Sequence, residues 1–226
     1  MQSLTIIQKI AMMAIPMLFA ITVHETAHGW VAEKFGDKTA RMLGRITLNP
    51  IKHIDPIGTV ALPLLMFMFT QFLFGWAKPV PVNWRNFRNP RRDMGIVALA
   101  GPASNLLMAL LWSLVVKAGE LIYPSFSWLG LPLIYMGGIG VFFNAILMAL
   151  NLIPIPPLDG SRVLNIFLSP KQSYAYSRLE PFGIFIVIGL LVSGILGKVL
   201  WPVIQFVIAV LPASDLVWQV FYLFTH

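Results

Sequence analysis

The sequence predicts an all-α polytopic membrane protein, and three observations carry that prediction. Of its 226 residues, 58% are hydrophobic and only 11% charged, which is more apolar and less charged than a soluble domain. Apolar windows long enough to span a bilayer run from about Thr5 to Ala32, Met94 to Val116 and Leu131 to Ile153. The basic residues that make up the net charge of +7 gather in loops between such windows, where they face anionic lipid rather than nucleic acid. Spans and short loops use up the length, so one membrane domain over 1–226 is expected, with a core over about 5–160 and further helices over about 182–226.

The first window contains the chemistry. Its apolar run from Ile10 to Val23 leads into His24-Glu25-Thr26-Ala27-His28. Residues four apart share a helix face, so His24 and His28 can offer imidazole nitrogens to one metal ion. Glu25 is turned by about a quarter of a revolution, close enough to take a proton from water at that metal. Ionisable groups inside an apolar helix are costly and usually mark function. Cleavage of this segment as a signal sequence is not expected, because the run continues into the motif without a small-residue cleavage site.

Lys34, Lys38, Arg41, Arg45 and Lys52 follow the first window, and Lys78, Arg85, Arg88, Arg91 and Arg92 precede the second. No Lys or Arg lies between Gly119 and Gly130, whereas Arg162, Lys171 and Arg178 follow the third window. The positive-inside rule then places 33–56, 78–93 and 160–181 in the cytoplasm. The apolar stretch Ile57 to Trp76 must return to the side it left, as a re-entrant or hairpin segment. His53 and Asp55 look like residues of an interfacial loop, and neither is assigned as a ligand. Ala77-Lys78-Pro79-Val80-Pro81-Val82-Asn83 reads as a short extended strand, because alternate prolines remove donors from one edge only. Ala77, Lys78, Val80 and Val82 are expected to hold an unwound substrate segment by strand addition. The alternative is a rigid proline-rich loop.

On the second window Gly101 and Ser104 are small residues that favour close helix approach, and Asn105 can donate to neighbouring backbone. On the third, Asn144 and Asn151 share a face, Asn144 as interhelical glue and Asn151 near the site. Asn151-Leu-Ile-Pro-Ile-Pro-Pro-Leu-Asp159-Gly160 cannot continue a regular helix. Taken alone, Asp159 reads as a helix N-cap. Beside a two-His site that needs a carboxylate, it reads better as the third ligand. Two His and one Asp leave a position open, as in catalytic zinc sites, and the absence of cysteine excludes thiolate ligands. From His24 to the helix end near Phe35 is roughly 16 Å, so the site is buried and water must reach it from the cytoplasm. A fourth apolar region, Phe182 to Val210, is expected to be interrupted at Gly197-Lys198 and Pro202, and Asp215 to Phe224 to lie in the interface or pack on the bundle.

HETAH with NLIPIPPLDG, Gly101-Pro-Ala-Ser-Asn105 and FGWAKPVPVN together resemble the site-2 protease family of intramembrane zinc metalloproteases, in its compact prokaryotic branch without PDZ or CBS domains. The resemblance implies a three-helix core, one catalytic Zn²⁺ on His24, His28 and Asp159, Glu25 as general base, and Asn151 in contact with substrate or the developing oxyanion. It also implies transmembrane protein substrates and a cell-membrane location with the active site toward the cytoplasm. A metal transporter would need a polar path through both leaflets, which the nearly uncharged outer halves of the spans argue against. An inactive binder of membrane segments would have no need of Glu25.

Overall fold

The computed structural model describes residues 5–61 and 77–225, and among these every regular element is helical. Helix α1, Ile6–Lys34, starts from a reciprocal cap in which Thr5 accepts from the Gln8 amide and Gln8 accepts from the Thr5 amide. It ends at Phe35 and Gly36, where a φ of 111° suits only glycine. Short α2, Thr39–Met42, folds back against α1. Helix α3, Pro90–Ile122, opens on a proline at a position where no amide donor is needed, and α4, Ser127–Asn151, returns beside it. Then come α5, Asp159–Leu164, α6, Pro170–Ser177, α7, Gly183–Val192, α8, Ile195–Ala209, and α9, Ser214–Thr225. The stretches Ile10–Lys34, Pro90–Ile122, Ser127–Asn151 and Pro170–Val192 are long and apolar enough to cross a bilayer. This is a multi-pass membrane protein.

Helices α1, α3 and α4 pack on one another as a three-helix core. Met12 and Met13 pack near Tyr135 and Ile139, Asn105 bonds both Ala20 and Asn144, and His28 bonds Val97. As α1 is followed from 12 to 28, its neighbours rise in number on α4 and fall on α3. Helices α1 and α4 are therefore parallel and α3 is antiparallel to both. The end of α1, the start of α3 and the end of α4 share one end of the bundle, as three converging ligands require. The Lys78 amide donates to the His53 carbonyl at 2.9 Å, so the two ends of 54–77 lie side by side. Residues 56–61 form a wide helical turn capped by Asp55, whose carboxylate accepts from the Ile57 and Gly58 amides. The rest of the expected re-entrant segment, 62–76, lies outside the described residues.

Two expectations change. The break in the fourth apolar region falls at Gly194, with φ of 74°, and not at Gly197, Lys198 or Pro202, which all lie inside α8. A left-handed residue reverses the chain after α7, whereas proline within an apolar helix removes one bond that neighbours can replace. His53, left out of the ligand set, is 2% exposed, with Nε2 on the Thr47 carbonyl. Ala77–Asn83 forms no ladder with any described strand and is tied down instead by bonds to helices and loops. Helix α9 packs against α4, burying Val217 and Val220.

Candidate metal centre

His24 and His28 lie one turn apart on the inner face of α1, and Asp159 is the first residue of α5, just beyond the proline break after α4. The three meet: Nε2 of His24 and Nε2 of His28 are 3.1 Å apart, and each is 3.3 Å from Oδ2 of Asp159. Leu158, not Asp159, holds the N-cap position of α5, so the carboxylate is left for the imidazoles.

Each imidazole is held from behind. Nδ1 of His28 faces the Val97 carbonyl at 2.8 Å, an acceptor only, so it carries the proton. Nδ1 of His24 is 2.6 Å from Oδ1 of Asn105. The Asn105 amide is oriented by its two donations, to the Ala20 carbonyl at 3.2 Å and to Oδ1 of Asn144 at 2.9 Å, which leaves Oδ1 to accept from His24. Asn144 is fixed in turn by donation to the Gly140 carbonyl at 2.8 Å. In the neutral rings both Nε2 atoms therefore present lone pairs, toward each other and toward a carboxylate oxygen that is buried with no hydrogen-bond donor. Three inward lone pairs repel unless a cation sits among them. A tetrahedral ion with ligands at 2.0–2.1 Å spaces its donors about 3.3–3.4 Å apart, close to the observed edges. The residues fit a His₂Asp metal site, and no other group of three His, Asp or Glu among the described residues does.

Gly101 explains how α3 comes so near. A methyl built there would lie 2.5 Å from both Cε1 of His24 and Nε2 of His28. The small residue leaves room for the rings, which is the packing role expected of it.

Glu25, next to His24 on α1, reaches 77–83, where its Oε2 accepts from the Val80 amide at 2.7 Å. Lys78 donates to His53, Asn83 donates to Asp37 at 2.6 Å, and Arg45 donates to the Lys78 and Pro79 carbonyls. Burial alone would raise the Asp37 carboxyl, but donations from Thr39, Asn86 and Asn83 outweigh it and hold it below the usual carboxylate range. Ala77 and Val82 are half-buried and Lys78 is exposed. Asn151 ends α4 with its amide on the Leu147 carbonyl at 3.0 Å, and it makes no described bond to the three ligands. Sequence reasoning placed Asn144 as interhelical glue, which its bond to Asn105 across α3 and α4 agrees with, but it missed that this bond lies behind a ligand ring. It also missed the Val97 carbonyl, which no side-chain pattern could reveal. The signal for Asn144 was there: two asparagines on neighbouring apolar helices need partners, and each other is the nearest choice.

Over 197 residues, 85% of each chain, the sequence is 38% identical to "Putative zinc metalloprotease YwhC" of Bacillus subtilis. The chain belongs to the site-2 protease family. It is 32% identical to "Putative zinc metalloprotease Rip2" of Mycolicibacterium smegmatis over 80% of this chain and 66% of that relative. With "Zinc metalloprotease MJ0392" of Methanocaldococcus jannaschii it shares 25% identity over 74% of this chain and 37% of the relative. No family model matches the chain, and no solved structure does. Family membership agrees with the donor set, since nitrogen and oxygen ligands with an open position are those of catalytic zinc.

Proposed function

We propose that this member of the site-2 protease family is an intramembrane zinc endopeptidase that hydrolyses peptide bonds within or near transmembrane segments of membrane proteins. One observation carries the reading: three inward-facing donors 3.1–3.3 Å apart, two of them on a helix of spanning length. His24, His28 and Asp159 would hold the ion. When bound, zinc supplies Lewis acidity toward a carbonyl oxygen and acidifies water at its open position.

The protein's own groups do the rest. Glu25 takes a proton from the attacking water and returns it to the departing amine. Asn105 and the Val97 carbonyl hold the rings in the tautomers that bind metal. Asn151, at the end of α4, contacts the substrate or the developing oxyanion once its amide leaves the Leu147 carbonyl. Segment 77–82 lies over Glu25 and receives substrate after local unwinding. The basic residues of 33–56 and 78–93 support a cytoplasmic position for this end of the bundle, and the bacterial relatives support a prokaryotic cell membrane.

Zinc content and cleavage, measured together on the purified full-length protein, test the proposal. Glu25→Gln should keep zinc at the wild-type ratio and lose at least about a hundredfold in cleavage. His24→Ala, His28→Ala and Asp159→Ala should lose zinc and cleavage together. Loss of zinc from the Glu25 variant as complete as from the others would overturn the division of roles. A zinc-loaded wild type unable to cut any membrane segment would overturn the function.

A further inference from the structure

We infer that Arg45 is a positioning residue for the general base, acting through the backbone of Val80. The inference rests on the proposed role of Glu25 and adds a residue to which that role assigns nothing.

Val80 is seated on α1 twice over. Its amide donates to Oε2 of Glu25 at 2.7 Å. Its side chain is buried against Gly29, where an added methyl would come within 3.0 Å of Val80 Cγ1. Glu25 and Gly29 are one turn apart on the same helix face, so one residue fills both places. Nothing within the segment enforces this seat. Pro79 and Pro81 flank Val80 and offer no donors, so the segment cannot stiffen itself by pairing. The constraint comes from outside. Nη2 of Arg45 donates to the Lys78 carbonyl at 2.8 Å and the Pro79 carbonyl at 3.2 Å, the two carbonyls just before the Val80 amide.

Arg45 is itself well anchored. Its amide bonds the Ala40 carbonyl at 2.9 Å, and Ala40 is buried against Gly29. It forms no ion pair among the described residues, so its charge is directed at the two carbonyls. A guanidinium suits the task because it is planar and stays charged. The clamp thus runs from α2 through Arg45 to the Lys78–Pro79 backbone and on to Glu25. With Oε2 held by the Val80 amide, Oε1 makes no described hydrogen bond and is left to handle the proton. A long acidic side chain otherwise samples several rotamers, and misplacement of a catalytic group by about 1 Å can cost a hundredfold in rate.

The same contact bears on docking by strand addition. The Lys78 and Val80 amides are already spent on His53 and Glu25. A substrate strand that took the Val80 amide would release the base, so docking and positioning compete at this residue.

The test compares zinc-loaded, full-length wild type with Arg45→Gln and Arg45→Lys. Each is assayed on a transmembrane helix and on a short extended peptide, with amide hydrogen exchange read at Lys78 and Val80. Arg45→Gln should lower kcat by about ten- to a hundredfold on both substrates. KM and zinc content should hold, and the Val80 amide should exchange faster. Arg45→Lys, which keeps a cationic donor, should recover part of kcat and of the protection, and it serves as the test variant if Arg45→Gln does not fold. Unchanged kcat in a folded variant would overturn the inference. So would a rise in KM confined to the transmembrane substrate, the mark of a docking residue. Loss of zinc in step with activity would make Arg45 a scaffold residue instead. A wild type that cuts neither substrate would sink the protease reading, while exchange at Val80 would still report on the clamp.

Discussion

Around Asn105 the helices meet through amides and imidazoles, whereas around Trp201 they meet through rings and aliphatic side chains. In the first region α1, α3 and α4 bury His24, Asn105 and Asn144 in one connected set of hydrogen bonds, with His28 bonded beside them to the Val97 carbonyl. In the second, Phe142, Trp201, Trp218 and Phe221 pack edge to face or tilted, over Val141, Ile204, Ile208 and Val217. Lipid tails are as apolar as those side chains, so the second region gains little from exclusion of water and depends on close fit. Hydrogen bonds are directional and cannot slide. The polar region therefore fixes the register of the ligands, and the apolar region fixes how firmly the C-terminal helices stay attached.

Gly101→Ala probes the polar region most severely. The methyl enters the space of both ligand rings, which a short backbone-borne group cannot vacate. Zinc affinity should fall by at least about a hundredfold, measured by competition with a chelator, with helix content by circular dichroism unchanged. A variant that bound zinc normally would mean that α3 sits farther from α1 than described. Asn105→Ala should cost less, about ten- to a hundredfold in zinc affinity, because it frees the His24 ring without blocking it. Asn105→Asp, which can still accept from His24, should recover part of that loss. Equal loss in both would assign Asn105 to packing rather than to orientation of the ring.

Trp218→Ala has the smallest expected effect on chemistry. It removes ring contacts at 5.6 Å to Trp201 and 5.8 Å to Phe221, far from any ligand. Thermal stability should drop by about 2–3 kcal/mol, below the usual cost in a water-soluble core. Zinc binding and turnover per zinc-loaded molecule should not change. A fall in turnover at full zinc occupancy would show that the two regions are not separable.

What could be read from the sequence follows the same division. The His24–His28 pair needed only helical spacing, and Asp159 needed only the knowledge that two histidines want a carboxylate. The antiparallel placement of α3 followed from charge, because Arg45 and Arg88 flank a segment that had to return. Gly194 was harder to find. Gly194 and Gly197 are equally able to reverse a chain, and only packing decides which one takes the left-handed conformation. The burial of His53 was not legible, because its neighbours Lys52 and Asp55 are hydrophilic and the Thr47 carbonyl that meets its ring is not marked by any side-chain pattern. The proline-rich segment was singled out, but not the use of its donors. Pro79 and Pro81 disclose which amides are missing, while the bond from Val80 to Glu25 joins residues 55 positions apart.

The bond between Lys78 and His53 has a consequence for how this chain could change over generations. It pins together the two ends of 54–77 before either reaches Arg45, Val80 or Glu25. Extra residues between pinned points cost only the logarithm of added length, about 0.6 kcal/mol for each doubling. That stretch can therefore lengthen or shorten, to suit a thicker bilayer or a bulkier visitor, while the backbone at Val80 keeps its place. Length is a free variable there, and the geometry at the base does not have to be reinvented each time it varies.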